Sequence, residues 1–118
     1  MRAKDAVGRY GERVAAAYLT EAGWQVLDRN WRGPSGELDI VALQGSELVV
    51  VEVKTRTGDG FGHPAEAVTP RKLVRLRRLA GQWLDAHDLH PTSVRIDVVA
   101  VRASRRGAAQ VEHLAGVV

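Results

Sequence analysis

Three charged side chains, Asp39, Glu52 and Lys54, lie in two strand-like runs where their chemistry can combine. The runs are rich in aliphatic and β-branched residues and are separated by Gly45-Ser46, which is typical of a two-residue hairpin turn. They comprise residues 37–44 and 47–55. A two-residue turn places Asp39 directly opposite Glu52, with Lys54 on the same face of the second strand. Opposed side chains have Cβ atoms about 4.5–5.5 Å apart, so two negative charges meet there and need a compensating cation.

A divalent metal ion would suit this position. Asp39, Glu52 and the backbone carbonyl of Val53 offer the oxygen ligands that Mg²⁺ prefers, and Mn²⁺ is a second candidate. Water on such an ion is easier to deprotonate, and the Lys54 ammonium can orient the nucleophile and offset charge on a phosphoryl transition state. The residue types therefore favour phosphodiester hydrolysis.

Two other interpretations of the carboxylate pair remain open. Asp39, Glu52 and Lys54 could form a salt-bridge cluster at the end of a hairpin. A three-residue turn would instead set Asp39 on the face opposite Glu52, although the aliphatic pairing would survive.

A helix is predicted before the hairpin, over residues 4–22, from apolar residues at helical spacing and a terminating Gly23. Glu12 falls at the edge of the predicted packed face, beside Gly8 and Gly11, which allow another backbone to approach closely. From the helix alone, an ordinary surface glutamate is the simpler interpretation of Glu12.

A second helix is predicted after Thr69-Pro70, which supplies an N-cap and a proline at the first helical position. Its first part carries basic residues and no acidic one, which indicates a polyanionic partner but is also compatible with a solvated helix face. We predict phosphate contacts from five residues: Arg56, Arg71, Lys72, Arg75 and Arg78. Such contacts contribute affinity without reading a base sequence.

Composition limits the class of protein. The 118 residues, 45% hydrophobic and 26% charged, suit one globular domain spanning residues 1–118. The absence of cysteine excludes disulfides, thiolate metal sites and cysteine nucleophiles, and fits a reducing compartment. The N-terminus lacks the apolar stretch of a signal peptide, and no apolar run reaches membrane-spanning length, so we expect a cytoplasmic protein without membrane association.

The order of predicted elements is α-β-β-β-α-β, with residues 110–114 as a further edge strand. The segments Gly36-Glu37-Leu38-Asp39 and Glu52-Val53-Lys54 resemble the Asp and Glu-x-Lys motifs of the PD-(D/E)XK nuclease superfamily, without the proline beside the aspartate. The resemblance is strongest to the small bacterial YraN-like proteins, whose fold is similar to that of archaeal Holliday-junction resolvases. It extends to three other segments: Gly11-Glu12, Phe61-Gly62 and residues 67–72.

This resemblance implies an α/β fold with a restriction-endonuclease-like core, in which helices flank a central mixed sheet. It implies that Asp39 and Glu52 bind the metal, that Lys54 is the catalytic cation, and that Glu12 reaches the metal site directly or through water. A homodimer is also implied, because two sites serve two strands in resolvases.

Three functional hypotheses follow. The first is a Mg²⁺-dependent endonuclease acting on DNA, with branched or structured DNA as a candidate substrate. The second is a non-catalytic nucleic-acid-binding module that retains the nuclease fold and positions DNA for a partner protein. The third is a structural protein whose basic helix binds an acidic partner.

Overall fold

The fold is α/β, with seven helices and strands in the part of the chain that a computed structural model describes, residues 6–57, 68–104 and 107–117. The elements are α1 (Ala6–Glu21), β1 (Gln25–Gly33), β2 (Gly36–Gln44), β3 (Glu47–Arg56), α2 (Pro70–Ala86), β4 (Ser93–Arg102) and β5 (Gln110–Leu114). The predicted order is confirmed, including the last edge strand. Three predicted features lie wholly or partly outside the described residues: the start of the first helix at Lys4-Asp5, the Phe61-Gly62 segment, and Ala67 at the start of the segment 67–72.

All five strands form one mixed sheet in the order β1-β2-β3-β4-β5. The pairs β1–β2, β2–β3 and β4–β5 are antiparallel, whereas β3 and β4 are parallel. Parallel strands need a crossover connection, and α2 lies in the connection between β3 and β4. This architecture is compatible with the restriction-endonuclease-like fold.

The two helices cover opposite faces of the sheet, so the central strand β3 is buried on both sides. Ala15 and Leu19 of α1 pack with Val49 and Val51 on one face. On the other face, a second apolar cluster includes Leu76, Leu79, Ala80 and Trp83 of α2 together with Leu48 and Val50 of β3. Burial on both faces explains the uninterrupted aliphatic run Leu48-Val49-Val50-Val51, since alternation is lost when both faces are covered.

The β2–β3 hairpin has the predicted register. Its pairs run from Gln44↔Glu47 to Ile40↔Val51, with a two-residue turn between the strands. Gly45 adopts a φ of 61°, a left-handed conformation that favours glycine. The alternative three-residue turn is therefore wrong.

The start of α2 is also as predicted. Thr69 is the N-cap, and its side chain accepts a hydrogen bond from the backbone N–H of Lys72 at 3.2 Å. Pro70 occupies the first helical position, where its missing N–H costs nothing. Within the described residues, neither helix combines the length and apolarity needed to cross a membrane.

Candidate active site in the fork between two strands

The acidic pair lies where β2 and β3 diverge. These strands are paired from Gln44↔Glu47 only as far as Ile40↔Val51. Beyond that point, β2 remains paired with β1, and β3 remains paired with β4. The fork begins at Asp39 and Glu52, the next residue on each strand. Each strand keeps one neighbour, so the fork is held open by the sheet itself.

Asp39 closes the base of the fork. Its Oδ2 accepts a hydrogen bond from the backbone N–H of Val53 at 2.9 Å, in place of a ladder bond between the strands. Asp39 and Glu52 are each 9% exposed, so both carboxyl groups are largely removed from solvent. Two carboxyl groups held this way repel each other more strongly than they would in water.

The repulsion acts on the pKa of Glu52. Burial raises the pKa of Glu52 above its ordinary value, and the negative charge of neighbouring Asp39 raises it further. The Lys72 ammonium forms an ion pair with Glu52 Oε2 and opposes both effects on this pKa without cancelling them. The negative charge of Glu52 can therefore be neutralised in three ways: by a bound proton, by the Lys72 ammonium or by an added cation.

Both carboxylates open into a cleft of about 850 Å³. Glu12 and Lys54 line the same cleft, so the four residues predicted to be catalytic converge in one place. Val53, the predicted carbonyl ligand, is also on its lining. The alternative of a salt-bridge cluster of Asp39, Glu52 and Lys54 stays an open interpretation, since Glu52 does form an ion pair, with Lys72.

Glu12 reaches the cleft because α1 packs very closely on β3. A Cβ atom added to Gly11 would lie 1.9 Å from Thr55 Oγ1 and 2.8 Å from Thr55 Cβ, so only glycine fits between the two elements. The neighbouring Glu12 is 3% exposed. Its interpretation as an ordinary surface residue is therefore wrong.

The five predicted phosphate contacts occupy different positions. Lys72 and Arg75 line the cleft, and Lys72 is paired with Glu52. Arg71 and Arg78 are exposed on α2 and are not among the described residues that line the cleft. Arg56 is partly buried at the end of β3.

The sequence did not point to two further features of the cleft wall. Arg32, at the end of β1, lines the cleft and adds a positive charge to it. The Pro34-Ser35 turn is fastened to α2 by Gln82, whose amide donates to Ser35 Oγ at 2.9 Å and whose carbonyl accepts from the Ser35 N–H at 3.2 Å. Neither the position of Arg32 nor the contact between Gln82 and Ser35 could be predicted from local sequence, because each depends on elements that are far apart in the chain.

The donor set of the fork fits a hard divalent cation that keeps water ligands. Asp39 and Glu52 supply carboxylate oxygens, which Mg²⁺ and Mn²⁺ accept. Among the described residues, no group of three or more carboxylate or imidazole side chains is placed to enclose a metal ion. Glu12 lines the same cleft, and its role at a metal site, direct or through water, stays a prediction.

The mixed sheet, its two flanking helices and the acidic fork define an α/β protein with restriction-endonuclease-like architecture. Residues 11–101 match the family model described as "Uncharacterised protein family UPF0102", and the chain belongs to this family.

The chain is similar along its length to several UPF0102 proteins. It is 64% identical over 117 residues to the UPF0102 protein of Beutenbergia cavernae, covering 99% of each chain. It is 63% identical over 118 residues to that of Kineococcus radiotolerans, covering 99% of this chain and 97% of the relative. Identity to the UPF0102 protein of Streptomyces coelicolor is 57% over 119 residues, covering 99% and 92% respectively.

Proposed function

We propose that this protein is a divalent-metal-dependent endonuclease of the PD-(D/E)XK superfamily that hydrolyses phosphodiester bonds in DNA. The observation that carries the proposal is the convergence of Asp39, Glu52, Lys54 and Glu12 in one open cleft at the fork of β2 and β3. A buried pair of like charges is costly, and functional sites are where such costs are retained.

Each residue has a role in the proposed reaction. Asp39 and Glu52 would hold the cation, Mg²⁺ or Mn²⁺, with the carbonyl of Val53. When bound, the ion would supply an activated water and Lewis-acid stabilisation of the phosphoryl group. The Lys54 ammonium would orient the nucleophile and offset negative charge on the phosphate, and the buried Glu12 carboxylate would orient water at the cleft.

DNA would be bound through its backbone. Arg75 and Arg32 both line the cleft, so each can contact a phosphate of the bound backbone. Each neutralised phosphate steepens the fall of log affinity with log salt by about 0.7–0.9. Arg75→Ala should lower this slope by about that amount, whereas Arg78→Ala, on the same helix but outside the cleft lining, should lower it less.

The direct test is cleavage by the purified protein. We expect cutting of at least one substrate among four-way junctions, flaps and single strands in MgCl₂ or MnCl₂, and no cutting in EDTA. Asp39→Asn and Lys54→Met should abolish it, whereas Asp85→Asn, an exposed carboxylate of α2, should leave it unchanged. Cleavage that persists in Asp39→Asn and Lys54→Met would refute the assigned site.

The alternative is a module with the same fold that binds nucleic acid without cutting it and acts with a partner protein. The ion pair between Lys72 and Glu52 favours this alternative, because a lysine can neutralise the carboxylate without metal. A binding module would retain DNA affinity in EDTA and in Asp39→Asn, and calorimetry would detect no Mg²⁺ or Mn²⁺ binding. Metal-dependent cleavage that is lost in Asp39→Asn would exclude it.

A further inference from the structure

Lys72 is a cation that contacts Glu52 of the acidic pair directly. It lies in the first turn of α2, where its backbone N–H is held by the side chain of the Thr69 N-cap. Lys72 lines the cleft, and its ammonium pairs there with Glu52 Oε2. The side chain of Lys72 is 30% exposed and that of Glu52 is 11% exposed, so the lysine faces both the carboxylate and the solvent-filled cleft.

We propose that Lys72 is an internal counter-ion that competes with the divalent cation for Glu52. This inference rests on the proposed function, because it assumes that a metal ion binds at Asp39 and Glu52. In the metal-free protein, the ammonium neutralises Glu52. When a cation binds, it takes the carboxylate, and the ammonium turns into the cleft, where it can contact a substrate phosphate.

The geometry supports exchange over simultaneous binding. An ammonium in contact with Glu52 and a divalent ion on the same carboxylate would be like charges a few ångströms apart in a largely buried site. A lysine suits this role because its ammonium is a compact charge on a flexible stem, whereas arginine binds carboxylates through a rigid planar fork. Its partial exposure gives the displaced ammonium a solvated position close by.

The neighbouring residue provides a matched control. Arg71 carries the same charge on the same helical turn but is exposed and is not among the described residues lining the cleft. Loss of either charge changes the general field of α2 similarly, whereas only loss of Lys72 removes the competitor.

The first experiment is calorimetric titration of MnCl₂ and MgCl₂ into the wild type, Lys72→Met and Arg71→Met, without DNA. We expect Lys72→Met to bind about five- to tenfold more tightly than the wild type and Arg71→Met to bind within about twofold of it. Unchanged or weaker binding by Lys72→Met overturns the inference while leaving the proposed metal site intact. An equal gain in both variants overturns it as well, since it would show a general field effect. No binding by any of the three proteins overturns the proposed metal function together with the inference.

The second experiment follows the lysine itself. Acetylation of the wild type by an amine-reactive ester, quantified by mass spectrometry, should label Lys72 more rapidly in MnCl₂ than in EDTA, because the metal frees the ammonium. Asp39→Asn, with its metal site disabled, should show no such increase. Labelling of Lys72 that is indifferent to a metal shown by calorimetry to bind overturns the inference.

Discussion

Replacement of Gly11 by alanine tests the packing on which the position of Glu12 depends. The added methyl group would lie 1.9 Å from Thr55 Oγ1 and 2.8 Å from Thr55 Cγ2. It would also lie 2.8 Å from Thr55 Cβ, so rotation of the threonine side chain cannot relieve the overlap and α1 must move away from β3.

The size of the effect follows from two opposing terms. Overpacking of this kind costs about 3 kcal/mol, at the upper end of the usual range. Exchange of a helical glycine for alanine contributes about 1 kcal/mol in the other direction. The net loss is about 2 kcal/mol, which corresponds to a fall in Tm of about 6–12 °C for a domain of this size.

Gly81→Ala is the matched control for this prediction. Gly81 lies within α2, and a Cβ atom added there would meet nothing within 4 Å. The same substitution should therefore stabilise the protein by about 0.5–1 kcal/mol and raise Tm by a few degrees. Thermal and urea unfolding of both variants, followed by circular dichroism, would measure the two changes.

A double variant, Gly11→Ala with Thr55→Ala, tests whether the loss of stability comes from the contact with Thr55. Thr55→Ala removes two of the three overlapping atoms, so it should recover part of the stability lost in Gly11→Ala, with a coupling energy of at least about 1 kcal/mol. If Gly11→Ala is as stable as the wild type, or if Thr55→Ala gives no recovery, α1 does not pack on β3 as described, and Glu12 is not placed in the cleft by this contact.

Three other variants test the electrostatics and the cleft wall. The pKa of Glu52 is raised in the folded protein, so its stabilising contribution is complete below the ordinary value of 4.5 and is lost as pH rises through the folded pKa. Glu52→Gln should therefore unfold at higher urea than the metal-free wild type at neutral pH, and the difference should vanish in acid. Asp97→Ala should cost about 3 kcal/mol in urea unfolding, because it leaves the donors of a fully buried carboxylate, Arg95 among them, without their partner. Gln82→Ala should lose about 1–2 kcal/mol, measured in the same way, because both hydrogen bonds to Ser35 disappear.

The register of the hairpin could be predicted because it depends on adjacent residues. A two-residue turn at Gly45-Ser46 fixes every pair of the β2–β3 ladder, so the meeting of Asp39 and Glu52 followed from local chemistry. The burial of Glu12 could not be predicted, since it depends on contact between Gly11 and Thr55, which are far apart in sequence.

The role of individual basic residues was equally inaccessible from sequence. A run of arginines and lysines predicts a positive helix face, but the direction of each side chain depends on how α2 lies against the sheet. In the fold, Lys72 and Arg75 line the cleft, whereas Arg71 and Arg78 do not. The ion pair between Lys72 and Glu52 joins a helix to a strand, and the spacing of residues within either element does not predict it.

Two buried carboxylates of this sheet show the difference between a structural charge and a candidate catalytic one. Asp97 is fully buried on β4, and its oxygens accept hydrogen bonds from the Arg95 guanidinium at 2.8 and 3.1 Å and from the Gly116 N–H at 2.9 Å. The His113 Nε2 atom is 2.7 Å from Asp97 Oδ2. The negative charge is thus enclosed by donors.

Glu52 on the adjacent strand β3 has the opposite environment. Its neighbour Asp39 is another carboxyl group, its ion-pair partner within the described residues is the partly exposed Lys72, and its pKa is raised. Asp97 is surrounded by hydrogen-bond donors of the fold. Glu52 instead lies where the sheet opens between β2 and β3. A buried charge that is held beside a like charge and faces a cleft is typical of a functional site, and this environment is the reason for proposing that a divalent cation binds at Glu52.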